Sequence, residues 1–299
     1  MSGLRPVSSV RIDLRNPGQF FACCGLLELA DRIAPGTQGL FEGKSFSLVS
    51  TGTTATAGVK EITEALLGCT LSNTMTAEQV RRFDELSMGK NGGQERTVAS
   101  LDEKKHLEKL RREEPLLLHE PFRLRLDWFQ DSNAGGSRFK TWAGQQSVLD
   151  IALSMKQAME LTDWRTGAPE EWMSKSVGGC GLPFNFDSDL GGQGSALDIG
   201  FSLDPLAASA ATRIDTNARP FLELLAFIGL QRFRPRLMRE NRYLYCTWNH
   251  PLPPELAAVA ACGMLPSAVA AAFEFRLLHR TQYLKSFLPA IPYSGDSSE

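Results

Sequence analysis

No long apolar run occurs in this chain. The N-terminus, MSGLRPVSSVRIDL, lacks the hydrophobic centre of a signal peptide, and no segment approaches the ~20 apolar residues that span a bilayer. A cytoplasmic protein is expected. The cysteines Cys23, Cys24, Cys69, Cys180, Cys246 and Cys262 show no C-x-x-C spacing, which argues against a structural zinc and against a disulfide framework. Several stand in apolar surroundings, where a free cysteine packs as a small hydrophobe. The histidines His106, His119, His250 and His279 are scattered, with none of the H-E-x-x-H type of spacing, so no metal site and no cofactor is expected. The pair Asp187-x-Asp189 lies beside glycines and reads as a turn rather than a cation site. Charge of one sign is also missing. With 32 basic and 34 acidic residues the net charge is −2, which excludes a uniformly basic, nucleic-acid-coating protein but leaves room for local basic clusters.

An intact phosphate loop is a further absence. The stretch LRLDWFQDSNAGGSRFKTW orders a strand, a glycine loop and a Lys-Thr pair as a nucleotide-binding loop would. However, Phe139 stands directly before Lys140, where such a loop requires glycine, and no acidic partner strand follows. Nucleotide hydrolysis is not expected, and no catalytic residue is assigned.

What is present is an alternation of strand-like and helix-like segments over 299 residues, enough for two domains. SVRIDLR reads as a strand and NPGQFFACCGLLELADRIAPG as a helix, with Pro17 at its start and Pro35-Gly36 beyond its end. KSFSLVS is a strand and TGTTATAG a loop, while VKEITEALLG and TAEQVRRFDELSMG have helical periodicity. After the loop KNGGQERT, the balanced charges of LDEKKHLEKLRREEP predict a solvated helix. FRLRLDWF alternates as a half-buried strand, and QQSVLDIALSMKQAMEL is amphipathic. The glycine-dense SVGGCGLPFNFDSDLGGQGS marks a boundary.

Beyond it the pattern restarts. ALDIGFSLDP is strand-like, and LLAFIGLQRF in the following helix aligns without gaps on FFACCGLLEL of the first, matching Ala22, Gly25 and Leu26 to Ala226, Gly229 and Leu230. Glycine inside a helix costs about 1 kcal/mol against alanine, so two matched ones predict helices lying very close to a sheet. NRYLYCTW, PPELAAVAAC and AVAAAFEFRLLHR continue as strand, helix and strand, with RPRLM as a further short strand. The expected fold is α+β: two tandem ferredoxin-like (RRM- or RAMP-like) βαββαβ units. Residues 1–175 would form the first domain, decorated by a helical insertion at about 55–115, and 190–299 the second.

Three motifs, LRNPGQFFACCGLLELADRI, LDWF…FKTWAGQQS and ELLAFIGLQRFRP, lie within residues 12–236 and resemble a CRISPR-associated family of type I-U (I-G) systems, the Csb-class, large-subunit-like component of the effector. None of the three is a catalytic signature. The resemblance implies a non-catalytic subunit of an RNA-guided DNA surveillance complex that contacts guide RNA or target DNA. It would help in recognising the protospacer-adjacent motif or in assembly, alongside other subunits and the helicase-nuclease. The residues offer matching chemistry. Arg232, Arg234, Arg236, Arg239 and Arg242 crowd one segment, and Arg276, Arg280 and Lys285 interleave with aromatics near the C-terminus. Arg138, Lys140 and Trp142 follow the glycines Gly135 and Gly136, a hinge that would let them meet a backbone or a base. The alternative is a metal-independent, ferredoxin-like CRISPR RNA endoribonuclease with His250 or His279, beside Arg276, as general base.

Overall fold

The computed structural model describes residues 6–50, 57–88, 98–130, 137–142, 146–178, 183–191, 217–239, 241–280 and 284–294. The chain has an α+β fold. The expected strand at ALDIGFSLDP and the loops TGTTATAG and KNGGQERT lie wholly or largely outside these residues.

Strand β1 (Pro6–Arg11) leads into α1 (Pro17–Ile33), and the hairpin of β2 (Thr37–Glu42) and β3 (Ser45–Ser50) follows. Their antiparallel sheet has the order β1-β3-β2, so β3 lies between two strands joined through a helix. Next come α2 (Val59–Gly68), β4 (Leu71–Asn73), α3 (Ala77–Met88) and α4 (Val98–Glu113). β5 (Leu116–Leu118) and β6 (Leu124–Leu126) complete a small sheet with β4. The alternation expected in FRLRLDWF holds: Phe122, Leu124, Leu126 and Trp128 are buried while Arg123 and Arg125 face solvent. α5 (Val148–Glu160) starts at Ser147, whose hydroxyl accepts from the Asp150 amide.

β7 (Val177–Gly178) pairs with β8 (Asn217–Ala218), and a short helix α6 (Ser188–Gly191) precedes α7 (Pro220–Gly229). The last sheet runs β12 (Leu284–Phe287), β11 (Val269–Arg280), β10 (Arg242–Trp248), β9 (Arg236–Leu237), with β13 (Ile291–Pro292) also on β11. Helix α8 (Pro254–Ala261) connects β10 to β11, which are direct antiparallel neighbours. No helix among the described residues is long and apolar enough to cross a membrane.

The centre of the molecule is the crossing of α1 and α7. Every residue of α1 from Pro17 to Ala30, and all of α7, is buried. The matched glycines explain how two backbones come so close. A Cβ on Gly25 would stand 2.0 Å from the Leu225 carbonyl oxygen, and one on Gly229 would stand 2.1 Å from that of Phe21. In the gapless alignment Phe21 matches Leu225, so one contact is made twice across a local two-fold. The expectation that both glycines face a sheet is therefore corrected: each faces the other helix. Periodicity marked the positions needing close approach but could not name what approaches.

Buried residues of both halves belong to one hydrophobic cluster. Around the crossing, Phe20 stacks on Tyr245 with centroids 4.4 Å apart, and Phe184 stacks on Phe227 at 4.5 Å. The first and last sheets are stitched together by the reciprocal backbone bonds of Gly39 with Leu252, each 3.0 Å, and by the Trp248 indole donating to the Gly39 carbonyl at 2.7 Å.

Candidate nucleic-acid interface

Alternation along β10 and β11 separates two chemistries. Tyr243, Tyr245, Phe273 and Phe275 are buried, and Tyr245 and Phe275 pack against Phe21 of α1. The residues between them point the other way. Arg242 is paired across the ladder with Arg276, and Leu244 with Glu274 on one side and Arg236 on the other. Cross-strand partners share a face, so Arg236, Arg242 and Arg276 stand together on the outer side of the sheet. Arg236 and Arg276 are exposed, while Arg242 Nη1 lies 3.1 Å from the buried Glu274 carboxylate. Beneath them burial pushes the Cys246 thiol up to about 11, against the opposing pull of the Arg236 charge.

The β9–β10 turn is shaped by local chemistry. Asn241 adopts a left-handed conformation (φ 60°), and the Met238 amide donates to the Arg242 carbonyl at 2.7 Å. Arg239, at this turn, is exposed. Arg138 reaches the inner side of the same sheet from a remote segment: its guanidinium hydrogen-bonds the Tyr243 hydroxyl, and the neighbouring Phe139 ring packs edge-on to Tyr243 with centroids 4.8 Å apart.

Other expected members are engaged elsewhere. Arg232 crosses to α1, where its Nε lies 2.5 Å from the buried Glu28, and its Nη1 approaches Glu255 at 3.4 Å. Glu28 also receives Arg32 at 2.8 Å, so Arg232 locks helices together and is removed from the interface. Trp142 requires a second correction. It is 3% exposed and surrounded by Trp128, Phe129, Phe184 and Phe227, so it cannot stack on a base. Four aromatic neighbours drew it inwards, and the Lys140 ammonium lies over its ring at 5.7 Å. Arg234 is exposed near Asp127; burial acts to raise that carboxyl, yet Gln231, Arg125 and Arg234 hold it below its usual range. For Arg280 and Lys285 the backbone pairing of β11 with β12 is described, with Arg280 opposite Leu284 and His279 opposite Lys285. Their side chains, and Gly135 and Gly136, lie outside the described residues.

A second polar region, missed by sequence reasoning, lies at the N-termini of α1 and α7. Asn16 caps α1 by accepting from the Gln19 amide and donates to Asp187 at 2.7 Å. Arg219 reaches Asp189 at 2.8 Å and Asp187 at 3.2 Å. Glu223 is 1% exposed and accepts from the Phe186 and Asp187 amides at 3.1 Å. Burial, followed by the nearby Asp187 charge, raises Glu223 to about 8. Asp187, read from the sequence as a turn residue, does accept from the Asp189 amide two residues on at 3.0 Å, and it is also a buried tie between distant segments. Beside this network opens a cleft of about 730 Å³, lined among others by Arg11, Arg15, Lys44, Glu170, Glu171 and Arg219. With Asp13 and Asp189 the lining holds four basic and four acidic side chains drawn from separated stretches, so no local signal could have disclosed the cleft.

Among the described residues no group of three His, Cys, Asp or Glu side chains could hold a metal ion. His119 Nε2 lies 2.9 Å from the Ser72 hydroxyl at the exposed end of β4 and β5. Compared with protein-family models, with curated proteins and with solved structures, the chain finds no match.

Proposed function

We propose that this chain is a non-catalytic, nucleic-acid-contacting subunit of a type I CRISPR RNA-guided DNA surveillance complex, working in the cytoplasm. Guide RNA or target DNA would be met at the outer face of the C-terminal sheet, with neighbouring effector subunits and the helicase-nuclease covering other surfaces. The single observation that carries the reading is the convergence of Arg236, Arg242 and Arg276 on one sheet face, while Arg138 bonds Tyr243 of the opposite, buried face. Arginine forks presented from a rigid sheet suit phosphate oxygens and base edges. The finer architecture proposed with it is two tandem ferredoxin-like units. The order β1-β3-β2 around α1 supports the first of these. In the second half the direct pairing of β10 with β11 is a departure, since a regular unit sets its first strand between them.

Replacing Arg236, Arg242 and Arg276 by alanine tests the assignment, with binding of single-stranded RNA and duplex DNA followed across a salt series. Loss of affinity is expected, with a log–log salt slope shallower by about 0.7–0.9 for each phosphate contact removed. Unchanged affinity and slope in a folded variant would reject the face as the interface. Metal-independent RNA cleavage that disappears in His250→Ala or His279→Ala would instead favour the endoribonuclease.

A further inference from the structure

The cleft beside α1 gathers charged side chains from several segments. Arg11, Arg15 and Lys44 come from β1, the β1–α1 connection and the β2–β3 turn, all exposed and without an ion pair among the described residues. Glu170 and Glu171 come from the 3₁₀ helix Pro169–Ser174, are exposed and are likewise unpaired among the described residues. Strand β1 and this 3₁₀ helix pack against each other, yet the opposite charges do not close on one another. Ile12, which is buried, and Leu14, half-buried, supply an apolar part of the lining. Of the remaining charged lining Arg219 pairs with Asp189, while Asp13 accepts from the Arg15 amide at 2.9 Å and keeps its charge, held in a turn between Arg11 and Arg15. A simple anion would satisfy the three cations but leave the glutamates opposed. A simple cation has the reverse difficulty.

A nucleotide unit, with an anionic phosphate at one end and hydrogen-bond donors on its base at the other, offers a partner to both sides at once. Carboxylates accept from the exocyclic amine of cytosine, whereas thymine presents a carbonyl oxygen at the corresponding position. The volume lies within the range of small-ligand sites, on the order of 300–1,000 Å³. We infer that the cleft holds one nucleotide of a single strand, its phosphate on Arg11, Arg15 and Lys44 and its base edge on Glu170 and Glu171, with preference for an amino-bearing base. This rests on the nucleic-acid reading above and gives it a base-selective site separate from the arginine face.

Binding of labelled oligo(dC) and oligo(dT) to the full chain tests this, with free cytidine monophosphate as competitor and folding of each variant checked by circular dichroism. Oligo(dC) is expected to bind roughly five-fold or more tighter than oligo(dT), the scale of one good base contact. Glu170→Gln with Glu171→Gln should remove that preference without weakening oligo(dT). Arg11→Ala with Arg15→Ala should weaken both strands and flatten the salt dependence. Competition by cytidine monophosphate would show that the free nucleotide suffices, and its failure that flanking phosphodiesters are needed; either agrees with the site if the preference responds to the glutamates. The arginine-face variant should lower affinity for both strands while keeping their ratio. Equal binding of the two strands, or a preference indifferent to Glu170 and Glu171, overturns the cleft while leaving the arginine face standing. Absence of binding by every probe overturns both.

Discussion

Helices α1 and α7 make the same contact with each other, yet their first turns are built differently. At α1 the entry is a neutral cap: Asn16 accepts from the Gln19 amide of the first turn and donates to Asp187. At α7 no side chain caps the helix; instead Glu223 in the first turn takes amide hydrogens from the segment at Phe186 and Asp187. A carboxylate near a helix N-terminus is ordinarily welcome, but this one is wholly desolvated and is pushed up to about 8. The crossing is therefore a symmetric, purely steric device, while the entries are asymmetric: α7 carries the buried Glu223 carboxyl itself, and α1 meets a buried carboxyl only through Asp187. Equivalence of backbone does not carry equivalence of charge.

The largest effect should come from breaking the symmetric part. Gly25→Ala or Gly229→Ala places a methyl about 2 Å from a backbone carbonyl of the opposite helix, where no rotamer can relieve it. A loss of about 3 kcal/mol or more is expected in urea unfolding, at or beyond the upper end for overpacked cores. Loss at only one of the two positions would break the equivalence of the contacts.

An intermediate effect probes the asymmetric part. An unfolded Glu223 titrates near 4.5 and the folded one near 8, so between those values the folded chain holds a proton that the unfolded chain has released. The stability associated with the neutral carboxyl is complete below about 4.5 and is lost as pH rises towards about 8, by at most ~1.4 kcal/mol per pH unit. Asp187, raised chiefly by burial, acts in the same direction. Glu223→Gln should flatten the stability profile across this window, whereas Asn16→Ala should lower the whole curve by about 1 kcal/mol and, by removing a hydrogen bond that holds the Asp187 carboxyl down, should not flatten it. A slope unaffected by Glu223→Gln would show that the carboxyl titrates normally.

The smallest effect sharpens the contrast between helix glycines. Gly68 ends α2 with open space around it, so Gly68→Ala should be neutral or gain up to about 1 kcal/mol by thermal unfolding. A marked loss there would mean that helix glycines in this chain are generally intolerant, and the crossing would cease to be special.

These cases mark what the sequence could reveal. Elements set by local periodicity and capping were legible: α1 begins at Pro17, α2 ends at Gly68, and β10 and β11 cover the alternating segments. The matched glycines were legible as close approaches but not as partners, because a helical pattern records only one side of a contact. Of the arginine run, Arg236 and Arg242 did reach a common face, whereas Arg232 was claimed by Glu28 across 204 positions of chain, a pairing invisible to composition. Trp142 was legible as aromatic and near cations, but its burial depends on Phe184 and Phe227 from later segments. The cleft is assembled from separated stretches whose charges cancel, so it left no trace in any window.

The crossing also has a consequence for biosynthesis. Helix α1 is buried on every side, and its principal partner follows some 200 residues later. At a ribosomal rate of about 5–20 residues per second, its apolar surface waits roughly 10–40 s for α7 to be translated. Until then α1 has only its neighbours β2, β3 and α2, and a chain ending before Pro220 would leave the face of α1 at Gly25 unfilled.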